Sequence, residues 1–282
     1  MRLALSVIVF IIIIIAVITI TVIALKSLMG VAPMIYVDKL RDLLINGSFT
    51  AVYNESSTGF SSENGSSHGF VCSETYWYSV GFVNGTRAVI TMNNGSCVPI
   101  YMTPPSQEMI RWVNGTSFCF AIHVMLNKRG AETAECLPPG TGKLINLAVP
   151  FNELLGNVTI NLTAEGYSIN YSMITHIHYV NATKWRGQTT YCFQVTSEIN
   201  SSTFYGMEPN VALRRVINEY NVTEFLCLLP NGLPAIIIFN ETITTKIPLA
   251  HITSRTSEYG VQELVSYELN YFNVTAFNEA VS

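Results

Sequence analysis

Residues Leu3 to Leu25 form a run of 23 residues without a charge, with Ile11 to Ile15 consecutive at its centre. As an α-helix rising about 1.5 Å per residue, such a run is roughly 35 Å long and exceeds the ~30 Å hydrocarbon core of a bilayer. A cleaved signal peptide has an apolar stretch of only about 7–15 residues followed by a small-residue site. The run therefore reads as an uncleaved transmembrane anchor over 1–29, with a cleaved leader as the alternative. Flanking charge does not orient it. Arg2 and the N-terminal amine oppose Lys26, Lys39 and Arg41, so counting positive charges on the inside is ambiguous.

The sequons supply the direction. Asn-x-Ser/Thr occurs at Asn46, Asn54, Asn64, Asn84, Asn94, Asn114, Asn157, Asn161, Asn170, Asn181, Asn200, Asn221, Asn240 and Asn273. That is 14 of 23 asparagines, where a Ser plus Thr content of 49 in 282 residues yields roughly four by chance. Asn-Gly hairpin turns could account for Asn46, Asn64, Asn84, Asn94 and Asn114. They cannot account for Asn-Val-Thr at Asn157, Asn221 and Asn273, or for Asn-Leu-Thr at Asn161. N-glycosylation explains the excess and occurs only on the translocated side. The expected topology is single-pass in the cell membrane, with the N-terminus inside and the C-terminal domain extracellular.

The six cysteines all follow the anchor, in a compartment where disulfides persist. Fifteen pairings are possible. Cys72, Cys119 and Cys192 each sit in an aromatic, strand-like context, whereas Cys97, Cys136 and Cys227 each shortly precede a proline. The repeated context favours the sequential pairs Cys72–Cys97, Cys119–Cys136 and Cys192–Cys227. No Cys-x-x-Cys is present, so a zinc site is disfavoured.

Period-two alternation flanked by Asn, Gly and Pro, as in Ile169-Tyr171-Met173 and Val265-Tyr267-Leu269-Tyr271, predicts antiparallel sheet with one wet face. The expected fold class is mainly β: antiparallel, disulfide-bonded modules of sandwich-like form, with the N-terminal transmembrane helix and one short helix further on. A degenerate repeat leads from Trp112-Val113-Asn114 to Cys119 and from Tyr179-Val180-Asn181 to Cys192. It suggests units at 106–178 and 179–282 behind a divergent module at 46–105. Residues 30–45 read as a stalk helix, 209–220 as a helix opened by Pro209, and 54–68 as a Ser/Gly/Asn-rich loop or linker.

Composition limits the chemistry. Apolar residues make up 49% of the chain, enough for a core. Charged residues are only 12%, about half the usual ~25%, and no basic cluster exists to track a phosphate backbone, so nucleic acid is not an expected partner. There are 17 Glu but only two Asp, Asp38 and Asp42. An aspartic dyad and an Asp-oriented serine triad are thereby ruled out beyond Asp42. Pro138 to Lys143 superficially suggests a phosphate loop, but Leu137 stands where its first Gly belongs and Leu144 where its Ser or Thr belongs. His176 and His178 fall on one strand face and are the candidate metal pair, with a third ligand to come from His68, His123, His251 or a Glu. Asn170 and Ser172 share that face, which reads as wet. Paired Glu residues are compatible with sequence of any spacing.

In its isoleucine-rich anchor, sequon density, Ser/Thr/Asn/Tyr-rich exterior and scarcity of charge, the chain resembles the surface glycoproteins of thermoacidophilic archaea. The resemblance is compositional and implies a domain bathed in acid, where carboxylates near their pKa pair weakly. It assigns no functional residue. An envelope protein of an AT-rich virus would look similar. The expected role is non-enzymatic: a structural, adhesion or accessory subunit of the cell envelope. Membrane lipid, other envelope or membrane proteins and covalent N-glycans are its expected partners, with no cofactor. One alternative is a pilin-like filament subunit assembling through the apolar helix. The other is an ectoenzyme or ligand-binding protein with a Glu/His site, whose mark would be a cleft free of sequons.

Overall fold

A computed structural model describes residues 33–98, 106–126, 129–164, 167–205 and 214–281. The apolar run lies outside these residues. Among the described residues no helix is long and apolar enough to cross a membrane.

Twelve strands form one antiparallel sheet: β1 Phe49–Glu63, β2 Ser66–Val83, β3 Thr86–Val98, β4 Ser106–Asn114, β5 Ser117–Leu126, β6 Arg129–Cys136, β7 Val158–Ala164, β8 Tyr167–Trp185, β9 Gln188–Tyr205, β10 Arg214–Leu228, β11 Pro234–Ile247 and β12 Ile252–Leu269. Their spatial order is β6-β5-β4-β3-β2-β1-β12-β11-β10-β9-β8-β7. Two six-stranded meanders thus join where β1 pairs with β12. Asn64 and Asn84 adopt left-handed φ of 47° and 51°, each followed by a glycine that does the same. This is the Asn-Gly chemistry of tight hairpins, and it makes the β1–β2 and β2–β3 turns.

Helix α1, Met34–Asn46, packs on one face of the sheet. Its Val37, Leu40 and Leu44 recur at helical spacing and are at most 1% exposed. Arg87 closes its C-terminus by donating to Gly47 O at 2.7 Å and to Leu44 O. β6 and β7 are consecutive in sequence but lie at opposite sheet edges, so residues 137–157 must cross the sheet. They do so on the α1 side through short helical turns, α2 (Ile145–Ala148) among them. Ile145, Val149 and Leu154 join α1, Phe49, Tyr53, Phe193, Leu226 and Leu264 in one core. We call this the covered face. The other, open face has a small core of its own under the C-terminal helix α3, Val274–Val281, where Phe272 and Phe277 pack on Ala88, Ile90 and Ile110.

Several expectations require correction. The strands assigned to three separate or sandwiched modules all belong to this single sheet. Residues 54–63 and 66–68, read as a linker, are paired strand in β1 and β2; their polarity reflects one strand face in water and a polar patch on the other. The helix expected at 209–220 is strand from Arg214 onward, because β10 is paired along its length to β9 and β11. From Met34 on, the stalk segment is helical, but α1 is a core element. The three disulfides join Cys72 to Cys97, Cys119 to Cys136 and Cys192 to Cys227. Each links directly opposed residues of neighbouring strands.

Candidate functional site: a glutamate-lined cavity on the covered face

Along β1 the inward side chains change character. Phe49, Ala51 and Tyr53 pack in the core, and then Glu55 and Ser57, 5% and 2% exposed, follow on the same face. Neighbouring strands change likewise. Beyond the core the covered face opens into a cavity of about 270 Å³ lined by Glu55, Glu74, Glu153, Glu224, Glu241 and Glu258, with Gln262 and the rings of Tyr76, Tyr78, Phe151 and Phe239. Register explains the convergence. Glu55 stands directly opposite Glu74 across β1–β2, and Glu241 directly opposite Glu258 across β11–β12. Like charges in such positions repel.

Glycine makes the room. A Cβ at Gly260 would lie 2.4 Å from the Phe239 ring and 2.8 Å from Ser57 Cβ, and one at Gly95 would lie 2.4 Å from the Glu74 side chain. Above the sheet, Phe151 is held at a left-handed φ of 59°, a conformation that costs a bulky residue free energy. Its ring meets Tyr53 and Tyr78 edge-on at 5.6 and 5.7 Å. That placement brings Glu153, two residues on, over the cavity.

Few partners offset the charge. Gln262 Nε2 donates to Glu55 at 2.6 Å, Tyr76 Oη to Glu74 at 2.7 Å and Asn93 Nδ2 to Glu74 at 3.4 Å. The ion pairs among the described residues are Arg41–Asp38, Arg186–Glu263 and Lys246–Glu219; none reaches the cavity. Arg111 is the nearby cation. Burial lowers its pKa, and it donates to Thr91 Oγ1 and Ala148 O rather than to a carboxylate. Desolvation, which disfavours the charged form, pushes Glu55 and Glu241 up to about 7. It is also the leading cause of upward shifts at Glu153, Glu224 and Glu258. The buried Ser57 hydroxyl faces Glu258 and acts against its rise, yet it closes no hydrogen bond of regular geometry.

The residues singled out in the sequence lie elsewhere. His176 and His178 are exposed on the open face of β8, and among the described residues no three His, Cys, Asp or Glu are placed to hold a metal ion. In the Pro138–Lys143 turn, the Gly140 and Gly142 N–H groups both donate to Thr116 O, at 2.9 and 2.8 Å, and so are taken. Thirteen sequon asparagines are exposed and Asn273 is half-buried. Asn273 caps α3, its Oδ1 accepting from Ala276 N–H at 3.1 Å. Nine sequons fall within strands, and all nine point to the open face, opposite in phase to the inward side chains. None of the cavity glutamates stands out individually in the sequence. The cavity's available signal was phase: Glu55, Glu224 and Glu241 each stand two residues from an inward apolar side chain, Tyr53, Leu226 and Phe239.

No protein-family model matches the chain, and no curated protein does. Among solved structures, a DUF1329 family protein from Desulfovibrio piger is 8% identical over 86% of this chain and 93% of its own, with a TM-score of 0.26. A mutant of Rh. blastica porin is 7% identical over 77% of this chain and 100% of its own, with a TM-score of 0.25. Likeness at that level carries no argument about fold or function.

Proposed function

We propose that this chain is an extracellular glycoprotein displayed on a cell membrane by its N-terminal apolar run, with a structural, adhesive or accessory role in the envelope and no catalytic one. The supporting observation is the phase of the sequons: every one within a strand faces outward, and none enters the covered face. Glycans are bulky and solubilising, and an asparagine pointing into a core could not carry one. The test is glycopeptide mass spectrometry of protein from native membranes, combined with protease digestion of sealed vesicles. At least half of the 14 sites modified, with the sheet domain digested from outside, is the expected result. Fewer modified sites, or a protected domain, would overturn the proposal.

A second reading, that the protein also binds a small ligand, is favoured by one observation: a sequon-free cavity holding six carboxylates without a paired cation. A thermal-shift screen of cations, polyols and metal ions on the full chain in detergent tests it. A hit abolished by Glu55→Gln with Glu241→Gln supports ligand binding; hits that survive the double substitution, or no hits, sink it.

A further inference from the structure

We infer that the covered-face cavity is a binding site for a linear polyamine, a flexible organic cation with several protonated amines along a methylene chain. The inference rests on the ligand-binding reading and names the ligand class for the same cavity.

The first ground is layout. The carboxylates do not converge on a point. Glu74, Glu55, Glu258, Glu241 and Glu224 come from β2, β1, β12, β11 and β10, five consecutive strands of the sheet. At a strand spacing of about 4.8 Å the band they form is roughly 19 Å long. Glu153 reaches it from the crossing segment. A single metal ion needs three or more ligands at one point, which the described residues do not provide. A chain of amines separated by a few methylenes can meet carboxylates one after another.

The second ground is the hydrogen-bond inventory. Ionised carboxylates only accept. The polar donors among the lining side chains are largely committed: Gln262 Nε2 to Glu55, and Tyr76 Oη to Glu74. The cavity is therefore an excess of acceptors, and the complement is a ligand made of donors. Each terminal ammonium offers three, as lysine does, and each internal one two. A sugar or other polyol needs donors and acceptors in return.

The third ground is the wall. Tyr76, Tyr78, Phe151 and Phe239 present rings beside the acids. Such faces attract organic cations and cover methylene segments. A strongly hydrated inorganic ion gains little from them.

The Ser57 hydroxyl is an independent sign. It is 2% exposed, faces Glu258 and closes no hydrogen bond of regular geometry. A buried unsatisfied hydroxyl costs free energy. An ammonium between Ser57 and Glu258 would satisfy both.

The test is isothermal titration calorimetry of the full-length protein in detergent with spermidine and spermine, at pH 8 and pH 5. Calcium, tetramethylammonium and glucose are run beside them. The titratable groups facing the cavity are the six glutamates, Tyr76 and Tyr78, with Arg111 nearby. The terminal amines stay protonated across the range, as lysine does to about pH 10. The expected result is spermine binding at pH 8 that falls at least about tenfold at pH 5. Glu55→Gln with Glu241→Gln should cost at least about tenfold at pH 8, while Glu198→Gln on the open face leaves affinity unchanged. Equal thermal unfolding of wild type and double variant at pH 5 shows that the variant folds. Glucose or calcium binding in place of polyamine, lost in the double variant, overturns the polyamine assignment and leaves the ligand-binding reading standing. No binding by any probe overturns both. Spermine binding that the double variant retains overturns the site.

Discussion

The two faces of the sheet treat glutamate in opposite ways. On the open face Glu219 pairs with Lys246 at 2.7 Å and Glu263 with Arg186 at 3.3 Å, all four side chains in water. Such exposed pairs contribute little, about 0–1 kcal/mol each, but they cost little too. In the covered-face cavity the glutamates are desolvated and have no cation paired with them among the described residues, and two pairs of them stand directly opposed. The faces differ in packing as well. The covered core draws on α1, the crossing segment and strands β3, β2, β1, β12, β11, β10 and β9, whereas five residues around α3 form the open-face core. The comparison teaches where stability is made and where it is spent: the large core holds in place groups that, left to themselves, would leave it.

The largest effect expected from that contrast is in the cores. Leu40 is fully buried at the centre of α1. The chain at Gly232, with φ of 97°, lies so close that a Cβ there would sit 2.7 Å from the Leu40 nitrogen. A site clamped this way cannot collapse into a cavity, so Leu40→Ala should lose about 3–4 kcal/mol. Phe277→Ala removes a larger side chain, 8% exposed, from a terminal helix that can detach locally. Detachment limits the loss to about 1–2 kcal/mol. Denaturant unfolding with a shared m-value measures both. Equal losses would break the contrast.

The next effect is the acid dependence of stability. Glu55 rises from an ordinary value of about 4.3 to about 7 in the folded protein. The sign follows from a raised carboxyl pKa: the folded state holds its proton more tightly than the unfolded chain. Stability is therefore fully present below about pH 4, and is lost as pH rises through about 7. At about 1.4 kcal/mol per pKa unit, Glu55 alone accounts for roughly 3 kcal/mol between those limits, and Glu241 acts in the same direction. Thermal unfolding should show a higher midpoint at pH 5 than at pH 8. Glu55→Gln should raise the pH 8 midpoint and flatten the profile. A wild-type midpoint that climbs from pH 5 to pH 8 would mean that the covered-face carboxylates are solvated like those on the open face.

Much of this architecture was legible, for identifiable reasons. Alternation and Asn-Gly turns are local signals, and they read as antiparallel strand and hairpins. The shared sequence contexts of the cysteines pointed to the pairs that the sheet brings opposite one another. Residues 54–63 were misread because a strand with polar residues on both faces has no amphipathic period. Residues 214–220 were misread because the absence of a breaker says nothing about which partners a segment finds. The cavity was hidden for a different reason. Glu55 and Glu258 are separated by 203 positions in sequence and meet only because β12 returns to pair with β1. That closure is a property of the whole sheet, and no local pattern announces it. Even the phase rule misleads in places: Val265 and Tyr267 alternate as core residues do, yet they are 43% and 40% exposed, Val265 being the residue skipped at the β1–β12 bulge.

The smallest effect belongs to the histidine pair. His176 and His178 project from the open face of β8, opposite Thr196 and Gln194 of β9, and both are exposed. Replacing either by Ala removes no buried contact, so the change in stability should stay within about 0.5 kcal/mol. With no third ligand placed beside them among the described residues, zinc should not raise the unfolding midpoint, and a chelator should not lower it. This is the sharpest check on the division between the faces, because the expected result is no change. A zinc-dependent rise in midpoint that His176→Ala abolishes would place a ligand site among the open-face sequons, and the covered face would lose its claim to be where this protein keeps its chemistry.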